Sequence, residues 1–289
     1  MKTLKMKKAH VFAEELYGGN PAGIVFLEEP LSSEEMKLIS QIINPISETV
    51  FISVSEKADH KFRFFTHLSE IEICGHATIG ACFALCGDQG KGKKILNIET
   101  KMGIFPVTLY FEAGTLLKVM MKQGTPEFGD TIKDPEILVQ ILGMSLKDLD
   151  RLLPIQVVST GRPKLIVPVV TKRVLNDLNP DFAKMIAFLD EIKATGIHVF
   201  TFETEDRNSL VHSRHFAPTV GVNEDPATGN SNAALGAYLY NYGRLDSEEF
   251  TAEQGYAMGR PSRLFVRVDE TGVYVGGSAA MVLEGSVTI

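Results

Sequence analysis

The chain of 289 residues is long enough to form one large domain or two domains of ordinary size. Its composition, with 44% hydrophobic and 22% charged residues, is that of a globular protein and excludes a disordered chain. The formal net charge of -7 argues against a general attraction to nucleic acid or to an anionic membrane surface.

The N-terminal segment and the cysteines both indicate a cytoplasmic protein. Residues 1–8 alternate lysine with apolar residues and lack the apolar core of a secretory signal. Phe26 and Leu27 are followed directly by Glu28 and Glu29, so no early segment reaches membrane-spanning length. The three cysteines all precede position 87 and show neither CxxC nor Cys/His ligand spacing. This disfavours disulfide bonds and a zinc centre.

Apolar patterning predicts the elements of the first half. A helix is expected at 32–43, with Ser32 or Ser33 as its N-cap and with glutamates in its first turn. A second helix, at 77–86, is small and apolar nearly all round, so it has to be buried. Strands are expected at 10–12, 23–27, 49–54, 61–66, 95–100, 103–110 and 116–121.

The turn-rich stretch 123–130 is the best candidate for a domain boundary. Beyond it, helices are expected at 134–142, 145–149, 182–195 and 227–242, the last being a second buried helix of small residues. Strands are expected at 156–159, 164–170, 198–203, 210–216, 250–254, 262–268, 272–276 and 281–289.

Each half therefore has several strands, one buried helix and further strands. We predict two α+β domains related by an internal pseudo-repeat, with a cleft between them. The N-terminal domain is assigned to residues 1–122, which the C-terminal strand near 279–289 would complete. The C-terminal domain is assigned to residues 123–278.

The two buried helices begin with similar chemistry. Gly75 and His76 open the first, while Asp225 and Pro226 precede the small polar run 228–232 at the second. A helix N-terminus presents unpaired N–H groups and a partial positive charge, which suits a small anion such as a carboxylate. Asp225 is expected to be the N-cap, with Pro226 in the first helical position, and capping alone would account for this pair.

Other polar residues have both a chemical and a structural interpretation. His76 at a helix start either donates to a carboxylate and carries a proton, or is an ordinary structural histidine. Cys74 is either a reactive thiolate or a small buried apolar residue. Glu48, where a strand pattern begins, is either exposed at the strand end or held inside for proton transfer. His212 and His215 are three apart in a strand and would point to opposite faces, which argues against a shared metal.

Taken in order, these motifs resemble the phenazine-biosynthesis PhzF-like family, which shares the diaminopimelate epimerase-like fold. The resemblance covers essentially the whole chain. It departs from the family pattern at Asn230, where the family often has Ser, and at Glu72, where many relatives have Asp. The matching segments are 19–23, 47–51, 64–66, 70–78, 214–218, 224–229 and 277–283.

The resemblance implies two similar domains, each a curved or barrel-like sheet around a central helix, in a homodimer. It also implies a cofactor-free and metal-free site in the interdomain cleft, with Glu48 as the acid/base and with His76 and Asp225 beside it. A racemase of the same fold uses two facing cysteines. Cys74 matches the first of these, but the second helix offers Thr228 instead.

We therefore expect a cofactor-independent isomerase that acts on a small carboxylic acid by general acid/base proton transfer. The alternatives are a non-catalytic protein that binds small anions and an amino-acid racemase or epimerase. The expected partners are the substrate and a second copy of the chain. Binding to nucleic acid or to membranes is not expected. The residues assigned to substrate binding are Asn20, Gly75, Ala77, Gly229, Asn230 and Ser231.

Overall fold

The computed structural model describes residues 1–13, 16–44, 47–87 and 90–289. They form two compact units. Unit 1 contains Met1–Met121 and Gly276–Ile289, and unit 2 contains Lys122–Val275. Within the described ranges, no helix combines the length and the apolar character needed to cross a membrane.

The chain is a mixed α+β protein. Its helices are α1 (Ser33–Ile43), α2 (Gly75–Cys86), α3 (Glu136–Leu142), α4 (Lys172–Asp177), α5 (Phe182–Glu191) and α6 (Gly229–Asn241). Short 3-10 helices lie at Leu146–Asp148, Pro218–Val220 and Tyr256–Met258. Its strands are β1 (Thr3–Val11), β2 (Asn20–Phe26), β3 (Thr49–Ser53), β4 (His60–Phe65), β5 (Glu70–Ile71), β6 (Gly92–Thr100), β7 (Gly103–Glu112), β8 (Thr115–Lys122), β9 (Glu127–Thr131), β10 (Gln156–Ser159), β11 (Pro163–Pro168), β12 (Ile197–Thr201), β13 (Val211–Ala217), β14 (Val222–Asp225), β15 (Glu249–Gln254), β16 (Ser262–Asp269), β17 (Gly272–Gly277) and β18 (Ala279–Thr288).

Unit 1 is a sheet packed on helix α2. Strand β1 pairs antiparallel with β18 and β2, β2 pairs parallel with β3, and β3 pairs antiparallel with β4. Strand β4 then pairs antiparallel with β5 and parallel with β6. Helix α2 contacts β1, β2, β3 and β18, and its residues 77–82 are buried. A Cβ added at Gly80 would lie 3.1 Å from Val11 Cγ2, so the small residue lets the helix approach the sheet closely.

Unit 2 is built on the same kinds of pairing. Strand β11 pairs parallel with β12, β12 pairs antiparallel with β13, and β13 pairs antiparallel with β14 and parallel with β15. Helix α6 contacts β10, β11 and β16, and its residues 231–239 are buried. The prediction that the helices now numbered α2 and α6 are buried is therefore confirmed.

Most predicted elements are present, and most differences lie at their ends. The N-cap of α1 is Ser32, whose side chain accepts from Glu35 N at 3.2 Å while Ser32 N donates to the Glu35 carboxylate at 2.7 Å. This capping box confirms the predicted helix start. Strand β1 begins at Thr3 rather than at position 10. The alternation of lysine with buried Leu4 and Met6 is that of a half-buried strand.

Several elements were not predicted because they lack a buried face. All five residues of β9 are exposed, and this strand begins within the turn-rich stretch 123–130. Helix α4 has six residues, of which Leu175 is buried, and begins where the Thr171 side chain accepts from Val174 N. Helix α5 ends at Glu191 and not at 195. Strands β5 and β14 are short and carry no fully buried residue, so no apolar period marks them.

Candidate active site

Glu48 is fixed at the entrance to β3 by its backbone. Its carbonyl oxygen accepts from Gly23 N at 3.0 Å and from the buried Asn44 side chain at 2.9 Å. A Cβ added at Gly23 would lie 2.6 Å from Thr49 Oγ1, so glycine is needed where β2 passes β3. The Glu48 backbone is thereby anchored next to the first pair of the parallel strands β2 and β3, and its side chain is 27% exposed.

The Glu48 carboxylate meets the first turn of helix α2. Glu48 Oε2 lies 3.3 Å from His76 Nε2. Ser47 Oγ lies 2.8 Å from Glu48 Oε2, 3.2 Å from His76 Nε2 and 3.2 Å from Asn20 Oδ1. On the other side of the ring, Cys74 Sγ lies 3.4 Å from His76 Nδ1. Glu48 and His76 are thus in hydrogen-bonding range, and Ser47 is a member of the cluster that sequence analysis missed.

The other residues assigned to substrate binding in unit 1 differ in accessibility. Asn20 is buried at the start of β2, and Ala77 is completely buried. Gly75 is the first residue of α2 and is exposed, and a Cβ added there would meet no atom within 4 Å. Open space therefore borders the first turn of α2, where helical N–H groups lack partners within the helix. An anion has room to approach this turn.

The predicted cap of the second buried helix is wrong. Asp225 is the last residue of β14, paired with His215, and α6 begins at Gly229 with Thr228 as its N-cap. Pro226 therefore precedes the helix and is not its first residue. The Asp225 carboxylate instead accepts a hydrogen bond from Thr228 Oγ1. The pairing of Asp225 with His215 makes Asp225 part of β14, and the helix begins only at Gly229, so Asp225 lies three residues before the N-cap.

A buried glutamine, also missed by sequence analysis, shapes this turn. Gln254 Nε2 donates to the Asp225 carbonyl at 2.7 Å and to Thr228 Oγ1 at 3.1 Å. Gln254 Oε1 accepts from Thr228 N at 3.2 Å and from Asn232 Nδ2 at 2.8 Å. Both ends of a fully buried amide are satisfied, so Gln254 orients the Thr228 hydroxyl that donates to Asp225.

The polar residues in the first turn of α6 have partners within unit 2. The Asn230 side chain donates to Thr160, with Nδ2 3.2 Å from Oγ1. Ser231 is buried, and its Oγ lies 3.3 Å from His215 Nε2. Gly229, as the first residue, presents backbone alone. Of the three residues assigned to substrate binding, Asn230 and Ser231 have side chains that contact the protein itself.

A row of buried basic side chains lies across β11, β12 and β13. Lys164 Nζ donates to Thr195 Oγ1 at 2.7 Å, and burial lowers the pKa of Lys164 to about 8. Burial, reinforced by the Lys164 charge, lowers the pKa of His198 to about 3 and that of His215 well below its ordinary value. Both imidazoles are therefore neutral near pH 7.

An arginine on each sheet positions the segment before each buried helix. In unit 1, Arg63 makes a bidentate pair with Glu70 at 2.8 and 2.9 Å, which fixes β5 just before Cys74. In unit 2, Arg214 makes a bidentate pair with Glu224 at 2.8 Å for both bonds, which fixes the residue before Asp225. Two parallel hydrogen bonds in a bidentate pair fix the relative orientation of the two side chains as well as stabilising their contact.

Among the described residues, one group of three side chains brings possible metal-ligand atoms close together. One ligand atom each from Glu48, Cys74 and His76 lies within 4.8 Å of the other two. His212 and His215 have different partners. His212 Nδ1 lies 2.8 Å from Glu253 Oε2, whereas His215 contacts Ser231.

Comparison with known proteins gives full-length matches. The family model described as phenazine biosynthesis-like protein (PhzC-PhzF) matches residues 9–285. An uncharacterized isomerase of Clostridium acetobutylicum is 37% identical, with 96% of each chain covered. Trans-2,3-dihydro-3-hydroxyanthranilate isomerase of Pseudomonas aeruginosa is 29% identical, with 95% of each covered. The crystal structure of a Bacillus anthracis PhzF-family phenazine biosynthesis protein matches with a TM-score of 0.90, at 34% identity over 100% of each chain.

Proposed function

Because the chain belongs to the phenazine biosynthesis-like (PhzF) family, whose full-length relatives are named isomerases, we propose that it is a cofactor-independent isomerase of a small carboxylic acid. The reaction would move one proton from one carbon of the substrate to another. Atoms balance without a co-reactant, because one proton leaves one carbon for the Glu48 carboxylate and one proton, exchanged with solvent on that carboxyl group, is delivered to another carbon. The observation that carries this proposal is the 3.3 Å contact between Glu48 Oε2 and His76 Nε2.

Glu48 suits the role of acid/base. A carboxylate can take a proton from carbon and deliver one to carbon when neighbouring side chains orient it towards the substrate and little water reaches it. Ser47 and His76 orient Oε2, and the backbone hydrogen bonds from Gly23 and Asn44 fix the chain beneath it. Simple anion binding gives no reason to hold an ionisable carboxylate beside the start of α2, since it would repel the anion.

We also infer that the two units are diverged copies of one ancestral unit. Each contains a strand with arginine two residues before a phenylalanine, and the guanidinium lies 5.3 Å from the ring of Phe65 in unit 1 and 4.9 Å from that of Phe216 in unit 2. Each arginine pairs with a glutamate four residues before the N-cap of the buried helix. The parallel and antiparallel pairings around these strands follow the same order.

This correspondence explains why one base is expected, not two. The bond from Gly23 N to the Glu48 carbonyl, 3.0 Å long, has its equivalent in the bond from Leu165 N to the Gly196 carbonyl, also 3.0 Å. Unit 2 thus has glycine where unit 1 has the catalytic glutamate. It likewise has Thr228 in place of the capping cysteine of α2. A racemase that uses two thiols is therefore disfavoured, because one face of its substrate would lack a proton donor.

The deciding experiment is Glu48→Gln, tested first with trans-2,3-dihydro-3-hydroxyanthranilate and then with a panel of small unsaturated and amino acids in D₂O. The wild type should place solvent deuterium on a substrate carbon, detected by NMR. Glu48→Gln should lower turnover by roughly a hundredfold or more, because glutamine keeps the shape but cannot exchange a proton. Glu56→Gln, which changes an exposed glutamate close to β3, should behave as wild type.

Two outcomes would contradict the proposal. Equal turnover in the wild type and Glu48→Gln would remove Glu48 from the chemistry. Tight binding of an acid without deuterium exchange would favour the non-catalytic alternative. Asp225→Asn tests whether unit 2 takes part. If Asp225 acts on the same substrate, turnover should fall and the losses from Glu48→Gln and Asp225→Asn should not be additive.

A further inference from the structure

Four titratable side chains lie on one face of the sheet in unit 2. Side chains share a face when their residues are opposite one another in neighbouring strands or two apart in one strand. His198 is opposite both His215 and Ile166. Lys164 lies two residues before Ile166 on the same strand. His215 is opposite Asp225, and its contact with the first turn of α6 shows that α6 covers this face. The four side chains are those of Lys164, His198, His215 and Asp225.

Unit 1 is apolar at the same four positions. The equivalent hydrogen bonds donated by Gly23 N and Leu165 N align the two units, and the strand registers extend the alignment. Three of the four residues in unit 1 are fully buried. The fold is therefore formed with apolar side chains on this face, and burying polar groups there costs free energy, so a requirement of the fold does not account for them. The equivalent pairs are Ala22 with Lys164, Val50 with His198, Phe64 with His215 and Ile71 with Asp225.

The two histidines on this face are neutral. Gly196 is beside Lys164 in the register of β11 and β12, and a Cβ added at Gly196 would lie 2.8 Å from His215 Cε1. The His215 imidazole thus fills the space that a side chain at position 196 would need. Burial holds the pKa of His198 and that of His215 well below the ordinary value, so both rings are uncharged near pH 7. Of the four groups, Lys164 and Asp225 are therefore the two that can carry charge near pH 7.

The charges of Lys164 and Asp225 act on each other. Burial, followed by the Arg162 charge, lowers the pKa of Lys164, and the Asp225 charge opposes this effect. The hydrogen bond from Lys164 Nζ goes to Thr195 Oγ1, a neutral acceptor. Arg260 also interacts with the Asp225 charge, whereas the first turn of α6 carries no charged side chain. A nearby cation favours the ionised form of a carboxyl group, and burial strengthens the interaction.

We propose that Lys164 is a positioning residue for Asp225, because its ammonium group keeps the Asp225 side chain in the carboxylate form. An ionised carboxylate accepts hydrogen bonds and donates none. The Asp225 carboxylate accepts from Thr228 Oγ1, and it is suited to accept also from a hydroxyl or amino group of the substrate. The substrate class is then a small carboxylic acid that carries such a donor. This use of Asp225 rests on the function proposed above, whereas the effect of Lys164 on Asp225 does not.

The first test is a carbon-13 NMR titration of protein labelled at the aspartate carboxyl carbon, without substrate. Asp225→Asn identifies the Asp225 signal by its loss. In Lys164→Met, Asp225 should take up its proton about one pH unit or more above the wild type, because a neighbouring positive charge is gone. Lys172→Met removes a lysine that pairs with Glu205 at 2.9 Å elsewhere in unit 2, and Asp225 should titrate there as in the wild type.

The wild type supplies a second measurement on the same signal. The Asp225 carboxyl carbon should shift again near pH 8, where Lys164 loses its proton. An Asp225 titration that Lys164→Met leaves unchanged would overturn the proposal. If Lys164→Met does not fold, the wild type decides, because an Asp225 signal that does not move near pH 8 would overturn it too.

The second test is the pH profile of kcat/KM for isomerisation. The ratio of kcat/KM in Lys164→Met to that in the wild type should fall by about threefold or more from about pH 7.5 to about pH 5, because Asp225 becomes protonated earlier in the variant. Protonation of Glu48 affects both proteins and cancels in the ratio. A purely structural loss gives a ratio that does not change with pH, and this result would overturn the positioning role. Absence of isomerisation in the wild type would refute the proposed function, and the carboxyl titration would still decide whether Lys164 acts on Asp225.

Discussion

Lys164 makes the stability of unit 2 depend on pH in a direction that the structure fixes. The residue is 5% exposed, and its side chain donates a hydrogen bond to Thr195 Oγ1. Burial, with a smaller contribution from the Arg162 charge, lowers its pKa from 10.5 to about 8. Each pKa unit corresponds to about 1.4 kcal/mol, so the folded state disfavours the charged lysine by about 3 kcal/mol.

The sign follows from proton counting. Between pH 8 and 10.5 the unfolded chain binds the lysine proton and the folded chain does not, so the free energy of unfolding rises with pH. Below pH 8 both states are protonated and the penalty is constant. The contribution of Lys164 is therefore largest above pH 10.5 and is lost as the pH falls to about 8.

The perturbation is Lys164→Met, which keeps an aliphatic stem and cannot titrate. Urea unfolding is followed by far-UV circular dichroism, because the chain has no tryptophan. The difference in unfolding free energy between wild type and variant should change by about 3 kcal/mol from pH 7 to 10.5 in favour of wild type. Lys184→Met, at a side chain 73% exposed, is the matched control and should parallel the wild type. If the difference in unfolding free energy between wild type and Lys164→Met does not change with pH, the lowered pKa of Lys164 is refuted.

Two further variants test the site. Gln254→Met should lower kcat/KM by more than about tenfold, because the Thr228 hydroxyl that donates to Asp225 loses its orientation. The control is Gln156→Met, which removes a buried amide elsewhere in unit 2. This variant should destabilise the protein without a comparable loss of activity. Equal losses in the two folded variants would reduce Gln254 to a structural residue. Cys74→Ser should lower turnover by less than about tenfold, and a loss of several orders of magnitude with folding intact would restore a thiol mechanism.

Features that depend only on residues close together in the sequence could be predicted from the sequence. The Ser32 capping box involves residues three apart, and the buried helices are marked by their own small residues. The sequence also indicated Glu48 and His76 as candidates, because a strand start and a helix start are local features. Their close approach is tertiary, and it came from the family resemblance and not from spacing.

Long-range contacts decide what the sequence did not predict. Asp225 and Thr228 both suit an N-cap, and the pairing of Asp225 with His215 on a neighbouring strand selects Thr228. Ser47 reaches His76 across 29 positions, and Gln254 reaches Thr228 across 26. A single hydroxyl or amide carries no periodicity, so such residues become visible only when the strands that carry them are in place.

The pairing of β1 with β18 gives the two units different histories during synthesis on the ribosome. Unit 2 is one continuous segment, so every residue that it contains has been synthesised once Val275 has been added. Strand β1 cannot pair fully until its antiparallel neighbour β18 has been made. Their pairing runs from Thr3 opposite Thr288 to Val11 opposite Ala279. Until then β1 has one edge without that partner, and such an edge is a template for wrong pairing. The sheet that carries Glu48 therefore cannot close until the last strand of the chain has been made, whereas unit 2 needs no residue beyond Val275.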